Sequence, residues 1–140
     1  MAEVILTADR TLMSNYHENE FLGFGTCAPP NFIPELFYSF MFFPPIKAEK
    51  GIPSSAPYGL RKTEAQLLKE GFDVITISPD HMEEYIEKAK VLGIYTMDPF
   101  GLGPASSTLA AIFKKEPYLA KYFRILISNP AIKKAKKKED

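Results

Sequence analysis

The chain has 140 residues, 46% of them hydrophobic, with 11 Phe and 7 Tyr; that is enough to fill the core of one ordinary domain, so disorder is not the default state. Lys plus Arg and Asp plus Glu each number 17, a balance that exerts no net pull toward nucleic acid or an anionic membrane. The lone Cys27 excludes an internal disulfide and cannot supply the three or four thiolates of an iron–sulfur cluster. No run reaches about 18 uninterrupted apolar residues, and the N-terminus lacks the charged-then-apolar pattern of a signal peptide. The expectation is a cytoplasmic protein with no membrane and no nucleic-acid partner.

Val4 to Ala8 reads as a short strand. Residues 14 to 35 hold Gly23, Gly25, Pro29, Pro30 and Pro34, so they are mostly loop. Together, residues 1–35 are expected to form an N-terminal strand-and-loop extension. Leu36 to Phe43 is aromatic and apolar and stops at Pro44-Pro45, which predicts a strand ended by residues without a ladder donor. A Gly-, Pro- and Ser-rich loop follows to Pro57. Gly59 to Glu70 reads as a helix with Leu60, Leu67 and Leu68 inward and Gly71 as its stop. Asp73 to Ile77 is a β-branched strand.

Asp80 is placed to cap the next helix, with Glu83 at the capping-box position. Met82, Tyr85, Ile86 and Ala89 then form an apolar stripe. Val91 to Met97 reads as a strand and Asp98 to Pro104 as a turn. A helix from Ala105 to Lys115 should turn Leu109, Ile112 and Phe113 inward. Pro117 can open a further helix with Leu119, Tyr122, Phe123 and Leu126 buried. Residues 131–140 read as a basic tail.

Strands alternating with helices over 36–130 predict an α/β domain: a flavodoxin-like or Rossmann-like three-layer sandwich, with a mostly parallel sheet and helices on both faces. Ligands of such sheets bind beyond the carboxyl ends of the strands. Two loops stand out there. Asp98 to Thr108 carries Gly101 and Gly103, then Ser106, Ser107 and Thr108 at a helix start, where free N–H groups favour an anion or a polar ligand edge. A plain turn with capping serines accounts for the same residues. Pro44 to Gly59 is longer than such connections require, and Tyr58 could stack on a flat ligand; an idle surface loop is the competing account. His17 with Cys27 matches no metal spacing. His81 is expected to be exposed and Cys27 to be a small buried residue. No Ser-His-Asp constellation emerges from two histidines.

Phe42-Phe43-Pro44-Pro45, Pro57-Tyr58-Gly59-Leu60, Gly71-Phe72-Asp73-Val74 and Val91-Leu92-Gly93-Ile94, in this order and spacing, resemble the N-terminal cobalamin-binding domain of radical SAM proteins. The stretch from Thr7 to His17 looks like the opening of one branch of that family, and the resemblance covers the chain to about residue 130. It implies a flavodoxin-like sheet holding cobalamin at its strand ends. Pro44, Pro45, Tyr58 and Gly59 would line one side of the cofactor, and Asp98, Gly101, Gly103, Ser106, Ser107 and Thr108 the other.

The Asp-x-His-x-x-Gly signature for histidine ligation of cobalt is absent, as is the three-cysteine cluster motif. The chain is therefore expected to be non-catalytic alone. The segment Ile132 to Lys138 resembles the approach to a further strand, which implies an incomplete domain finished by a C-terminal radical SAM region or a partner chain. Two other readings are carried: an interaction module, with homodimerisation through an open sheet, and a stand-alone nucleotide- or flavin-binding domain. The second is disfavoured by the missing phosphate-binding glycine fingerprint.

Overall fold

The computed structural model describes residues 2–136. It is an α/β structure built around β1 (Val4–Ala8), all five residues of which are buried. Burial on both faces explains why this strand reads as a continuous apolar run rather than an alternating one. β1 is the centre of a small parallel sheet in the order β4-β1-β5, with β4 spanning Val74–Thr76 and β5 Val91–Tyr95. The registers are Val4 opposite both Val74 and Val91. The segment expected as an N-terminal extension thus supplies the central strand.

The strand expected at Leu36 to Phe43 is instead a helix, α1 (Glu35–Phe42). Nearly every position in that run is apolar, so it satisfies the strand and the helix period alike. A helix bonds its own backbone and can lie at the surface with one stripe buried; a strand needs a sheet neighbour. Tyr38 and Ser39 are buried, whereas Leu36, Phe37, Phe40 and Met41 are exposed. The helix ends where Phe43 N–H donates to the Ser39 carbonyl, one residue before Pro44, whose ring disfavours helical backbone in its predecessor. Tyr38, Phe43 and Tyr118 form an aromatic cluster, with the Tyr38 and Tyr118 rings stacked at 4.9 Å.

The long loop that follows contains a hairpin of β2 (Ala48–Glu49) and β3 (Ile52–Pro53). Its turn residues Lys50 and Gly51 both have positive φ, the backbone of a two-residue type I′ connection. Gly51 carbonyl accepts from Ser78 N–H, and Lys50 carbonyl accepts from the Tyr85 hydroxyl, so the hairpin is tied to the end of β4. Helix α2 (Tyr58–Lys69) begins one residue earlier than expected. It ends as the sequence indicates, with Gly71 N–H bonded to Leu68 carbonyl and Phe72 N–H to Leu67 carbonyl, the paired bonds of a Schellman stop. Leu60 is buried and Leu67 packs beneath it, but Leu68 is exposed.

Asp80 lies in a 3-10 turn, Pro79–His81, and makes no capping bond to α3 (Met82–Ile86). The stripe Met82, Tyr85, Ile86 and Ala89 does face the core. Helix α4 (Pro104–Phe113) departs from expectation: Ile112 and Phe113 are exposed and Leu109 is half-buried. Helix α5 (Tyr118–Ile127) buries Tyr118, Ala120 and Leu126, leaving Leu119, Tyr122 and Phe123 half-buried. Residues 131–136, expected as part of a tail, belong to helix α6 (Pro130–Lys136), whose Ala131, Ile132 and Ala135 pack on the core. The remainder of that basic segment, 137–140, lies outside the described residues.

Val4, Leu6 and Ala8 pack with Leu60 of α2. Ile5, on the opposite side of the same strand, packs with Met82, Ile86 and Leu126. Helix α2 therefore covers one side of the sheet, and α3, Leu126 and α6 the other. No helix among the described residues is long and apolar enough to cross a membrane.

Candidate functional site

Open parallel sheets take ligands beyond the carboxyl ends of their strands. β1 and β5 are adjacent parallel strands. The space there is a cavity of about 1050 Å³, at the upper end of the roughly 300–1,000 Å³ usual for small-molecule sites. Four stretches wall it: the loop after β1 (Asp9 to Tyr16), residues of the 3-10 segment Glu20–Cys27, the start of α2 with Ser55 to Gly59, and the loop after β5 into α4. Leu12, Phe24, Ala56, Tyr95 and Leu119 make the surface mostly apolar.

Five of the ten residues expected at the site border this cavity: Tyr58, Gly59, Asp98, Gly103 and Ser106. Tyr58 is 80% exposed at the first position of α2, free to lie against a ligand. Gly59 serves the wall itself, since a Cβ would come within 2.8 Å of the Tyr95 ring. Asp98 organises its loop: Oδ1 accepts from Leu102 N–H at 2.9 Å and Oδ2 from Gly103 N–H at 3.1 Å. Burial works to raise its pKa, but the Ser106 hydroxyl and the backbone N–H groups of Gly103, Leu102 and Gly101 outweigh it and hold the carboxyl below its ordinary value. Asp98 is thus an anchor for the turn.

The other five lie elsewhere. Pro44 is buried, and Pro45 pairs with Ser14 of the loop after β1 in an isolated antiparallel bridge. Gly101, at positive φ, sits against Pro117. The Ser107 and Thr108 hydroxyls donate to the Pro104 carbonyl of their own helix, at 3.3 and 2.8 Å, and so are turned away from any ligand.

The cavity also gathers residues that the motifs did not single out. Asp9 directly follows β1 and is only 2% exposed. Its Oδ1 accepts from Thr11 N–H at 2.8 Å and from the Thr11 hydroxyl at 2.5 Å. Burial pushes its pKa up, against the opposing pull of those bonds. The signal for it was a carboxylate immediately after a strand that is apolar but for Thr7. Cys27, expected to be buried, is half-buried and borders the cavity.

Tyr16 borders it too, from a turn in which Tyr16, His17 and Glu18 all have positive φ. Left-handed backbone costs roughly 1–2 kcal/mol per non-glycine residue, so this turn must be held by its contacts. The Tyr16 hydroxyl donates to Thr11 carbonyl at 2.6 Å, and its N–H donates to Ser14 Oγ. His17 Nε2 lies 2.7 Å from Phe40 carbonyl; a carbonyl only accepts, so Nε2 carries the proton. Burial, reinforced by Asp9 and Glu20, pushes the Tyr16 hydroxyl up to about 12. Neither His17 nor His81 borders the cavity. His81 bonds Glu84 instead.

Among the described residues no group of three or more His, Cys, Asp or Glu side chains is placed to hold a metal ion. No family model matches this chain, and no curated protein or solved structure matches it either.

Proposed function

We propose that this chain is a cobalamin-binding-like domain of a radical SAM protein, flavodoxin-like in its three-layer arrangement and non-catalytic by itself. One observation carries the reading: a large, mostly apolar cavity lies beyond the carboxyl ends of β1 and β5, where doubly wound sheets take their cofactors. Its size suits a broad macrocycle better than a compact metabolite. Tyr58, Gly59, Gly103 and Ser106 would hold the macrocycle, with Asp98 keeping the β5 loop in shape.

Both histidines stand away from the cavity, so cobalt would be held without an imidazole from this chain. Cobalamin, when bound, supplies an alkyl carrier; the cluster and S-adenosylmethionine would come from a further region or a partner chain in the cytoplasm. The residues here bind, orient and exclude water.

Mixing the chain with hydroxocobalamin and desalting it tests the reading. A red chromophore should co-elute at near one equivalent, and Ala105→Trp, which fills the cavity wall, should abolish it. A folded chain that elutes colourless overturns the reading.

A second reading, an interaction module, draws support from a separate place. Phe32, Leu36, Phe37 and Phe40 are at least 64% exposed in one stretch of chain, and β4 and β5 each pair only with β1 among the described residues. Such open edges and apolar patches favour association. Sedimentation that shows only monomer at high concentration counts against it.

A further inference from the structure

The large apolar and aromatic side chains that border the cavity fall into two groups. Leu12, Tyr16, Ile46, Tyr95 and Leu119 are half-buried. Phe24, Tyr58 and Met97 border the same space but are 62%, 80% and 73% exposed. Each of these three belongs to a different wall. Phe24 lies in the 3-10 segment Glu20–Cys27, Tyr58 is the first residue of α2, and Met97 lies in the loop between β5 and α4. None of them belongs to a hydrophobic core cluster. Phe24 meets the Phe21 ring at 5.5 Å, and Phe21 is itself exposed.

A single exposed hydrophobic residue is ordinary on a protein surface. Three at one cavity, one from each of three walls, are placed to be covered together by what the cavity holds, and covering them stabilises the complex. Their chemistry narrows what that is. Aromatic rings pack on other conjugated systems by offset stacking or edge-to-face contact. A thioether also packs well on such rings, and the unbranched Met side chain adapts to an irregular edge. A flat conjugated ligand gains from all three contacts, whereas an alkyl chain gains only buried area.

We infer that Phe24, Tyr58 and Met97 are ligand-contact residues that cover the outer part of a broad conjugated ring held in this cavity. The inference rests on the reading of the cavity as a cofactor site. It adds Phe24 and Met97 to the residues that bind and defines the ligand by its ring.

Hydroxocobalamin and riboflavin, two conjugated rings of different chemistry, test it by spectroscopic titration of the full 140-residue chain. At least one should bind. Phe24→Ser should weaken that binding at least about tenfold and Met97→Ser at least about threefold, through apolar area left uncovered. Ile112→Ser, at a position that is 66% exposed but outside the cavity lining, should leave the affinity unchanged. The altered side chains are all at the surface, so circular dichroism and the thermal midpoint should match the native chain. Should one rim variant fail to fold, the other decides.

A ring bound as tightly by either folded rim variant as by the native chain overturns the inference; if that ring is hydroxocobalamin, the cobalamin reading stands. Weakening by Ile112→Ser as great as by the rim variants overturns the inference as well. Rim-dependent binding of riboflavin, with hydroxocobalamin unbound, overturns the cobalamin reading and supports the inference. A folded native chain that binds neither ring overturns both.

Discussion

Asp9 concentrates the physical tension of the site. Its carboxyl is nearly sealed from solvent, and burial raises its pKa above the ordinary 3.8. Between 3.8 and the raised value the folded chain therefore holds more protons than the unfolded one. Stability falls as pH climbs through that window, and the loss is complete above it. Asparagine keeps an oxygen to accept from Thr11 but has no charge to desolvate. Asp9→Asn should therefore gain stability relative to the native chain as pH rises from about 4 to about 7, measured by urea unfolding at both ends. A stability difference independent of pH would show that the carboxyl does not feel its burial. The residue was readable as chemistry only in part. A carboxylate at the end of a mostly apolar strand can be seen in the string Val4 to Asp9, but its place on one cavity with residues from 20–27 and 95–106 is set by the tertiary fold.

Elements were legible where local chemistry decides them. The strand at Val4–Ala8, the Gly71 stop of α2 and the stripe on α3 follow from runs, φ requirements and spacing that act within a few residues. Glu35–Phe42 was not legible, because eight residues of almost unbroken apolar character fit either period. What decides between them is the neighbour, and here the neighbour is the 3-10 segment Glu20–Cys27. A Cβ at Gly25 would lie 2.4 Å from the Phe42 ring, while the Tyr38 hydroxyl donates to Gly25 carbonyl at 2.8 Å. Gly25→Ala should thus force α1 off this segment and lower stability by about 1–3 kcal/mol, the range for overpacking, read as a drop in thermal midpoint. An unchanged midpoint would mean that the two elements are not closely apposed. The exposed faces of α1 and α4 mark the other limit, since an apolar residue's destination is not written in its hydrophobicity.

At the scale of the whole molecule, both sides of the sheet depend on distant parts of the chain. The side carrying Ile5 is completed by α3, by Leu126 and by α6. Ile132→Ala should lower stability by about 1–2 kcal/mol, below the usual core range because the residue is half-buried; denaturant unfolding gives the value, and no loss would make α6 an ornament rather than part of the core. The sequence by itself determined the α/β class and the lack of an internal disulfide, because element patterning and cysteine count act locally or over the whole chain at once. Only the tertiary structure decided that β1 is central, that Ser107 and Thr108 turn to their own helix while Asp9 borders the cavity, and that Asp98 holds the N–H groups of Leu102 and Gly103 ahead of α4. Strand order and side-chain direction come from packing between segments tens of residues apart, and no local pattern encodes those contacts.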